Sequence, residues 1–84
     1  MNDMKHTFFT EGTCSQMIDF EIDNNGLIRN VVFTGGCNGN LQGISRLVEG
    51  MKVEEAINKL EGIRCGYKST SCPDQLARAL KETL

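Results

Sequence analysis

From Met17 to Asp23 apolar and acidic residues alternate: Ile18, Phe20 and Ile22 fall on one face, Asp19, Glu21 and Asp23 on the other. That period of two predicts a half-buried strand. Asp23-Asn24-Asn25-Gly26 follows as a turn, because Asn and Gly tolerate positive φ. Leu27–Thr34 is a second β-rich run, with Val31 and Phe33 on one face. The two runs make a hairpin, and the β-formers of residues 6–11 add an edge strand.

The period then changes. Gly35-Gly36-Cys37-Asn38-Gly39-Asn40 breaks the strand, and Leu41, Ile44, Leu47 and Val48 recur at helical spacing, with Asn38 or Asn40 as the cap. Glu49-Gly50 closes this helix. Val53, Ala56, Ile57 and Leu60 predict an amphipathic second helix, closed by Glu61-Gly62. Residues 63–71 are irregular. Ser71 or Cys72 caps a last helix, with Pro73 at its first position, Asp74 in its first turn, and Leu76, Ala77, Leu80 and Leu84 as its stripe. Strands first and helices after predict an α+β fold: a small two-layer domain, a three-stranded antiparallel sheet followed by about three helices packed on one face. The sheet is expected to consume the helical stripes, leaving no spare apolar patch.

The chain of 84 residues fits one domain, 1–84, with residues 1–5 expected to be flexible. A domain this small has a modest core, and many such domains add a crosslink or a metal. Nine Lys plus Arg against eleven Asp plus Glu leave a formal net charge of −2, and Trp is absent. No basic patch is present, so no nucleic-acid partner is expected. No apolar run approaches the ~20 residues that span a bilayer, so no membrane partner is expected. The N-terminus has no apolar segment of the signal-peptide kind, and a cytoplasmic location is expected.

The chemistry lies in four cysteines, all at predicted turns: Cys14 after Gly12-Thr13, Cys37 after Gly35-Gly36, Cys65 before Gly66, and Cys72 before Pro73. In a reducing compartment they read as metal ligands or redox thiols rather than structural disulfides. In an antiparallel sheet the loop from strand one to two and the end of strand three share an edge. A last helix starting at that edge brings Cys14, Cys37 and Cys72 together, and Cys65 can curl back as a fourth. Helix N-termini favour thiolate, and Cys37 and Cys72 both fall there. Four thiolates suit zinc or an iron–sulfur centre as cofactor. Gly35, Gly36, Asn38 and Gly39 let backbone approach a cluster or ion and donate to its sulfurs. No C-x-x-C pair strengthens the metal reading, and burial as small apolar side chains is the plain alternative.

Thr70-Ser71-Cys72-Pro73-Asp74 resembles the motif that names the TSCPD-domain family. Ile28, Val31, Phe33, Gly35-Gly36-Cys37, Gly39-Asn40 and Gly43 resemble the same family's second block. The resemblance implies a small stand-alone protein, or a domain like those appended to adenosylcobalamin-dependent ribonucleotide reductases. It implies a fold and a cysteine metal site rather than a reaction. A more distant similarity, to iron–sulfur scaffold proteins of the NifU/IscU type, implies Cys14, Cys37 and Cys72 as ligands at one sheet edge. Here the acidic residue near the first cysteine is replaced by Ser15-Gln16, and the histidine before the last cysteine is Ser71.

Three functions therefore compete. The first is a metal-binding module with Cys14, Cys37, Cys65 and Cys72 as ligands, accessory to ribonucleotide reduction and more a module than an enzyme in itself. The second is a thiol–disulfide redox or electron-transfer protein, with a ribonucleotide reductase or other redox partner and a Cys65–Cys72 or Cys37–Cys72 disulfide. The third is a phosphate-cofactor (flavin or nucleotide) or protein-binding module built on the Gly35–Asn40 loop, which lacks the Lys-Ser/Thr of a P-loop. His6 reads as a surface residue without a partner, Asp19, Glu21 and Asp23 as a solvated face, and Asp74 as a helix-start residue or an acceptor near Cys72. Met1, Met4, Met17 and Met51 do not cluster.

Overall fold

The computed structural model describes residues 4–84. Three strands, β1 (Met4–Phe9), β2 (Ser15–Ile22) and β3 (Ile28–Gly35), precede three helices, α1 (Asn38–Val48), α2 (Val53–Leu60) and α3 (Cys72–Lys81). The sheet is antiparallel in the order β1-β2-β3. The α+β fold expected from the change of period is the one observed. α1 packs along β3, and α2 packs against α3.

Alternation in β2 works as the pattern predicts. Ile18 and Phe20 are buried, and with Ile28, Val31, Val48, Val53, Ala56, Ile57, Leu76, Ala79 and Leu80 they form one core. Aliphatic side chains removed from water on both layers supply the main driving force. The β2–β3 turn closes on Gly26 at φ 77. Asp23 Oδ1 accepts the N–H groups of Asn25 and Leu27, both at 2.9 Å.

Two register shifts interrupt the β2–β3 ladder. At the first, Asn30 takes a left-handed φ of 56. Its extra residue turns Arg29 away and places Ile28 on the buried face with Val31. The Asn30 N–H donates to Glu49 Oε1 at 2.8 Å, which holds the bulge to the end of α1. At the second shift, Ser15 pairs with Gly35 but Met17 pairs with Thr34, so Gln16 is the extra residue. Ser15 thereby turns inward and is buried.

Several expectations need correction. β1 starts and ends two residues earlier than 6–11, and Met4 and Lys5 pair with Ile22 and Glu21. Residues 1–3 of the terminus expected to be flexible lie outside the described residues. Cys37, not Asn38 or Asn40, is the N-cap of α1, and its side chain makes no capping bond. His6 has a partner, stacking on Phe20 with ring centroids 5.1 Å apart. The helical stripes are not fully consumed: Leu47 is 78% and Leu84 74% exposed. Leu47 belongs to a stripe wider than the contact face of α1, which buries only Leu41 and Val48 fully. Leu84 lies beyond the end of α3.

Candidate functional site

One end of the sheet carries the chemistry. The β1–β2 loop, the end of β3, the α2–α3 loop and the start of α3 meet there around an open cleft of about 300 Å³. Cys14, Cys37, Cys65 and Cys72 all line it. Leu41, Ile44, Ile63 and Pro73 supply apolar walls, and Arg64 the cationic side chain. Cys14, Cys37 and Cys65 are exposed and Cys72 is buried.

The last helix is built from its first six positions. Ser71 is the N-cap: its Oγ accepts the Asp74 N–H at 3.2 Å and donates to the Ile63 carbonyl at 2.6 Å. Pro73 fits the first turn, where a missing N–H costs nothing. Asp74 is buried and accepts the Gly62 N–H at 2.8 Å on one oxygen. Its other oxygen takes the Thr70 hydroxyl and the Arg78 guanidinium. Burial alone raises the Asp74 carboxyl, but the Thr70 hydroxyl, the Gly62 N–H and Arg78 outweigh it and hold it below the usual range. Asp74 therefore ties down the loop that carries Cys65, and makes no bond to Cys72.

Gln75 does the same for the loop that carries Cys14. Buried beside Asp74, it donates from Nε2 to Thr70 Oγ1 at 2.9 Å, and its Oε1 accepts the Glu11 N–H at 3.1 Å. Thr70 thus donates to Asp74 and accepts from Gln75, while its carbonyl accepts the Cys65 N–H at 3.1 Å. One buried polar network fastens two cysteine loops to the start of α3. Every buried side-chain polar atom among the described residues has a partner, as a network that specifies one geometry requires.

Glycines bring β3 to the cleft. Gly36 has a φ of 81, and a Cβ there would lie 2.9 Å from Leu41 Cδ1, 3.1 Å from Ser15 N and 3.2 Å from Cys14 Sγ. Only glycine lets the strand end pass this close to Cys14. Gly35 also has positive φ, but lines a separate groove with Asn38, between β3 and α1. Gly39 has open space about it. Of the four backbone positions expected to serve a cofactor, Gly36 is the one pressed against a thiol.

The thiols differ in kind. Cys14 Sγ lies 3.9 Å from Cys72 Sγ, and Ser15 Oγ lies 3.0 Å from Cys72 Sγ. The Cys37 backbone N–H, with the Cys72 side chain, lowers the Cys14 thiol below its ordinary value. Cys37 goes the other way: charge on Cys14 pushes it up, with the Cys14 hydrogen bond, burial, Cys65 and Cys72 adding to the rise. Against the thiolate character expected of Cys37 at its helix end, the charge on Cys14 works in the opposite direction. As the side chains stand, no group of three or more His, Cys, Asp or Glu among the described residues could hold a metal ion.

Sequence reasoning brought Cys14, Cys37 and Cys72 to this edge and allowed Cys65 to join them. It missed Ser15, Gln75 and the part played by Thr70. Gln75 had a visible signal, a polar residue beside Leu76 on the inner side of an amphipathic helix. Ser15 had none, because only the Gln16 bulge turns it inward.

Fold and cleft together define a small α+β domain that gathers cysteines at one sheet edge. The chain belongs to the TSCPD domain family, whose model matches residues 2–84. Comparisons with curated proteins and with solved structures give no match. No helix among the described residues is long and apolar enough to cross a membrane.

Proposed function

We propose that this domain is a cysteine-based metal-binding module that takes zinc or an iron–sulfur centre. The observation that carries the reading is that all four cysteines of the chain line one cleft. The donor set is soft and suits either centre. Gly36 clears the space beside Cys14 that a ligated sulfur needs. Binding requires the exposed thiols of Cys37 and Cys65 to turn inward, since no three donors close on one point as they stand. Both residues lie next to glycines, which permits that adjustment. Charge on Cys14, and less so on Cys65 and Cys72, raises the Cys37 thiol, which supports Cys37 as a neighbour of the other three.

The resemblance to domains appended to adenosylcobalamin-dependent ribonucleotide reductases supports a role beside ribonucleotide reduction, with such a reductase or a redox protein as partner. The function is binding rather than catalysis, and the location proposed is the cytoplasm.

Metal analysis and the absorption spectrum of protein isolated without oxygen test the reading. About one equivalent of zinc, or iron with visible sulfur-to-iron absorption, is the expected result. Less than about a tenth of an equivalent of either metal would sink the proposal, because a site of this kind stays occupied on isolation.

A further inference from the structure

We propose that Cys14 and Cys72 are a redox-active dithiol, with Cys14 as the attacking thiol and Cys72 as the resolving one. The proposal stands on geometry and does not need the metal. The two sulfurs lie 3.9 Å apart, in the contact range from which a disulfide closes by a shift of about 2 Å. Rotation of the exposed Cys14 side chain can supply that shift with its loop still tied to α3, whereas Cys72 is buried in the first turn of α3. The pair joins residues far apart in sequence, one on the loop between β1 and β2 and one at the start of α3.

Accessibility assigns the roles. Cys14 is exposed, so a substrate disulfide can reach it. Cys72 is only 7% exposed, so a substrate cannot. Its sulfur instead faces Cys14 and the Ser15 hydroxyl, which lies 3.0 Å away. Thr13 Oγ1 lies 3.2 Å from Ser15 Oγ, so two hydroxyls lead from the half-buried loop to the buried thiol. Ser15 is a positioning residue: it orients the Cys72 thiol and offers a first acceptor for its proton.

The reaction is thiol–disulfide exchange. The Cys14 thiolate attacks one sulfur of a substrate disulfide. That S–S bond breaks, a mixed disulfide forms at Cys14, and the departing thiolate takes up a proton. Cys72 then gives its proton through Ser15 to solvent and attacks the Cys14 sulfur. The mixed disulfide breaks, the second substrate thiolate leaves and is protonated, and Cys14–Cys72 is left oxidised. Two electrons have passed from the cysteine pair to the substrate; the two protons the substrate thiolates take up come from solvent, which receives the one that Cys72 releases. A dithiol reductant reverses the sequence. The structure places Cys14 and Cys72 in contact, and not the Cys65–Cys72 or Cys37–Cys72 pairs expected from the sequence.

Glutathione is the probe. The freshly isolated chain is equilibrated over a series of reduced-to-oxidised glutathione ratios, quenched with acid and mapped by mass spectrometry. One two-electron step and a single Cys14–Cys72 link are expected. Cys72→Ser should accumulate one glutathione on Cys14, since nothing resolves the mixed disulfide. Cys37→Ser and Cys65→Ser should keep the Cys14–Cys72 link. Ser15→Ala should leave the equilibrium pairing intact and slow the resolving step at least several-fold, seen as transient glutathione on Cys14. A first disulfide that includes Cys37 or Cys65, or folded Cys72→Ser that traps no adduct on Cys14, would overturn the proposal. Metal content separates the two readings. Protein isolated without metal that forms the Cys14–Cys72 link defeats the metal site alone, whereas protein isolated with metal that still never forms the link after a chelator has removed that metal defeats the dithiol alone.

Discussion

The two ends of the sheet solve the same problem in opposite ways. At the β2–β3 turn, the chain reverses on Asp23–Gly26 and satisfies its polar groups locally. Asp23 takes two backbone N–H groups and, at 3.0 Å, the Arg29 guanidinium. Nothing lies within 4 Å of a Cβ built on Gly26. At the opposite end, Gly36 presses against three neighbours, and the loops are tied down from a distance through Asp74 and Gln75. The first end is a turn whose side-chain bonds are its own, with only its Gly26 carbonyl reaching out, to the Val53 N–H at 3.4 Å. The second spends glycines and a buried polar network to hold cysteines against an open cleft. Where local rules explain most of a turn, as at Gly26, little constraint is left over. Where they do not, as at Gly36, the surplus constraint marks the site.

The sharpest way to break this contrast is Gly36→Ala. The new methyl meets Leu41 and the Ser15 backbone at a positive φ. Left-handed strain and overpacking together should cost about 2–4 kcal/mol in urea unfolding. The same substitution should change the alkylation rate of Cys14, whose sulfur lies 3.2 Å from the added Cβ. An unchanged midpoint would show that the strand end is free to move and that the cleft is not built as described.

Asp74→Asn comes next. The amide can keep the Gly62 N–H on its oxygen, but its NH₂ then faces the Arg78 guanidinium, which can only donate, and displaces the Thr70 proton. Two donors opposed at a buried position should cost about 2 kcal/mol. The loss should loosen the 61–71 loop, read as faster alkylation of Cys65 with little change at Asp23–Gly26 by hydrogen exchange. Equal loosening at both ends would erase the distinction between them.

The sequence reading was strongest where one local rule decided the outcome. Ile18, Phe20 and Ile22 follow a strict period of two, and Ser71-Cys72-Pro73-Asp74 carries a cap, a first-turn proline and a first-turn acid. The antiparallel order then sends Cys14 and Cys37 to one edge, and Cys72 joins them once the last helix starts there. The reading failed where a distant group decides. Carried back from Ile18, alternation turns Gln16 inward, but the bulge turns Ser15 inward instead and gives Cys72 its hydroxyl neighbour. Asn30 reverses the faces of β3 because Glu49, on another element, holds its N–H. The opposite titration of Cys14 and Cys37 arises from one N–H and mutual charge, which no spacing encodes.

Gly26→Ala measures the hairpin end by the same change made at Gly36. The backbone is again left-handed, with a φ of 77, but the space around it is open. Only the conformational penalty remains, about 1 kcal/mol. No cysteine should change its alkylation rate. A loss equal to that of Gly36→Ala would mean that crowding at Gly36 contributes nothing.

Asp23→Asn has the smallest expected effect and the most diagnostic pH dependence. The Leu27 N–H lowers the Asp23 carboxyl first; burial opposes it, and Arg29 and the Asn25 N–H add to the fall. A carboxyl held lower in the folded chain than in the unfolded chain stabilises the fold fully above the unfolded value, about pH 4. That contribution fades as pH falls through the folded value. The wild-type chain should therefore melt slightly above Asp23→Asn at neutral pH, and the gap should close as the pH drops below about 4. Added salt should narrow the neutral-pH gap only in part, because it screens the half-buried Arg29 pair more than the two backbone bonds. A gap that persists unchanged into acid would assign the effect to turn geometry rather than to the carboxylate.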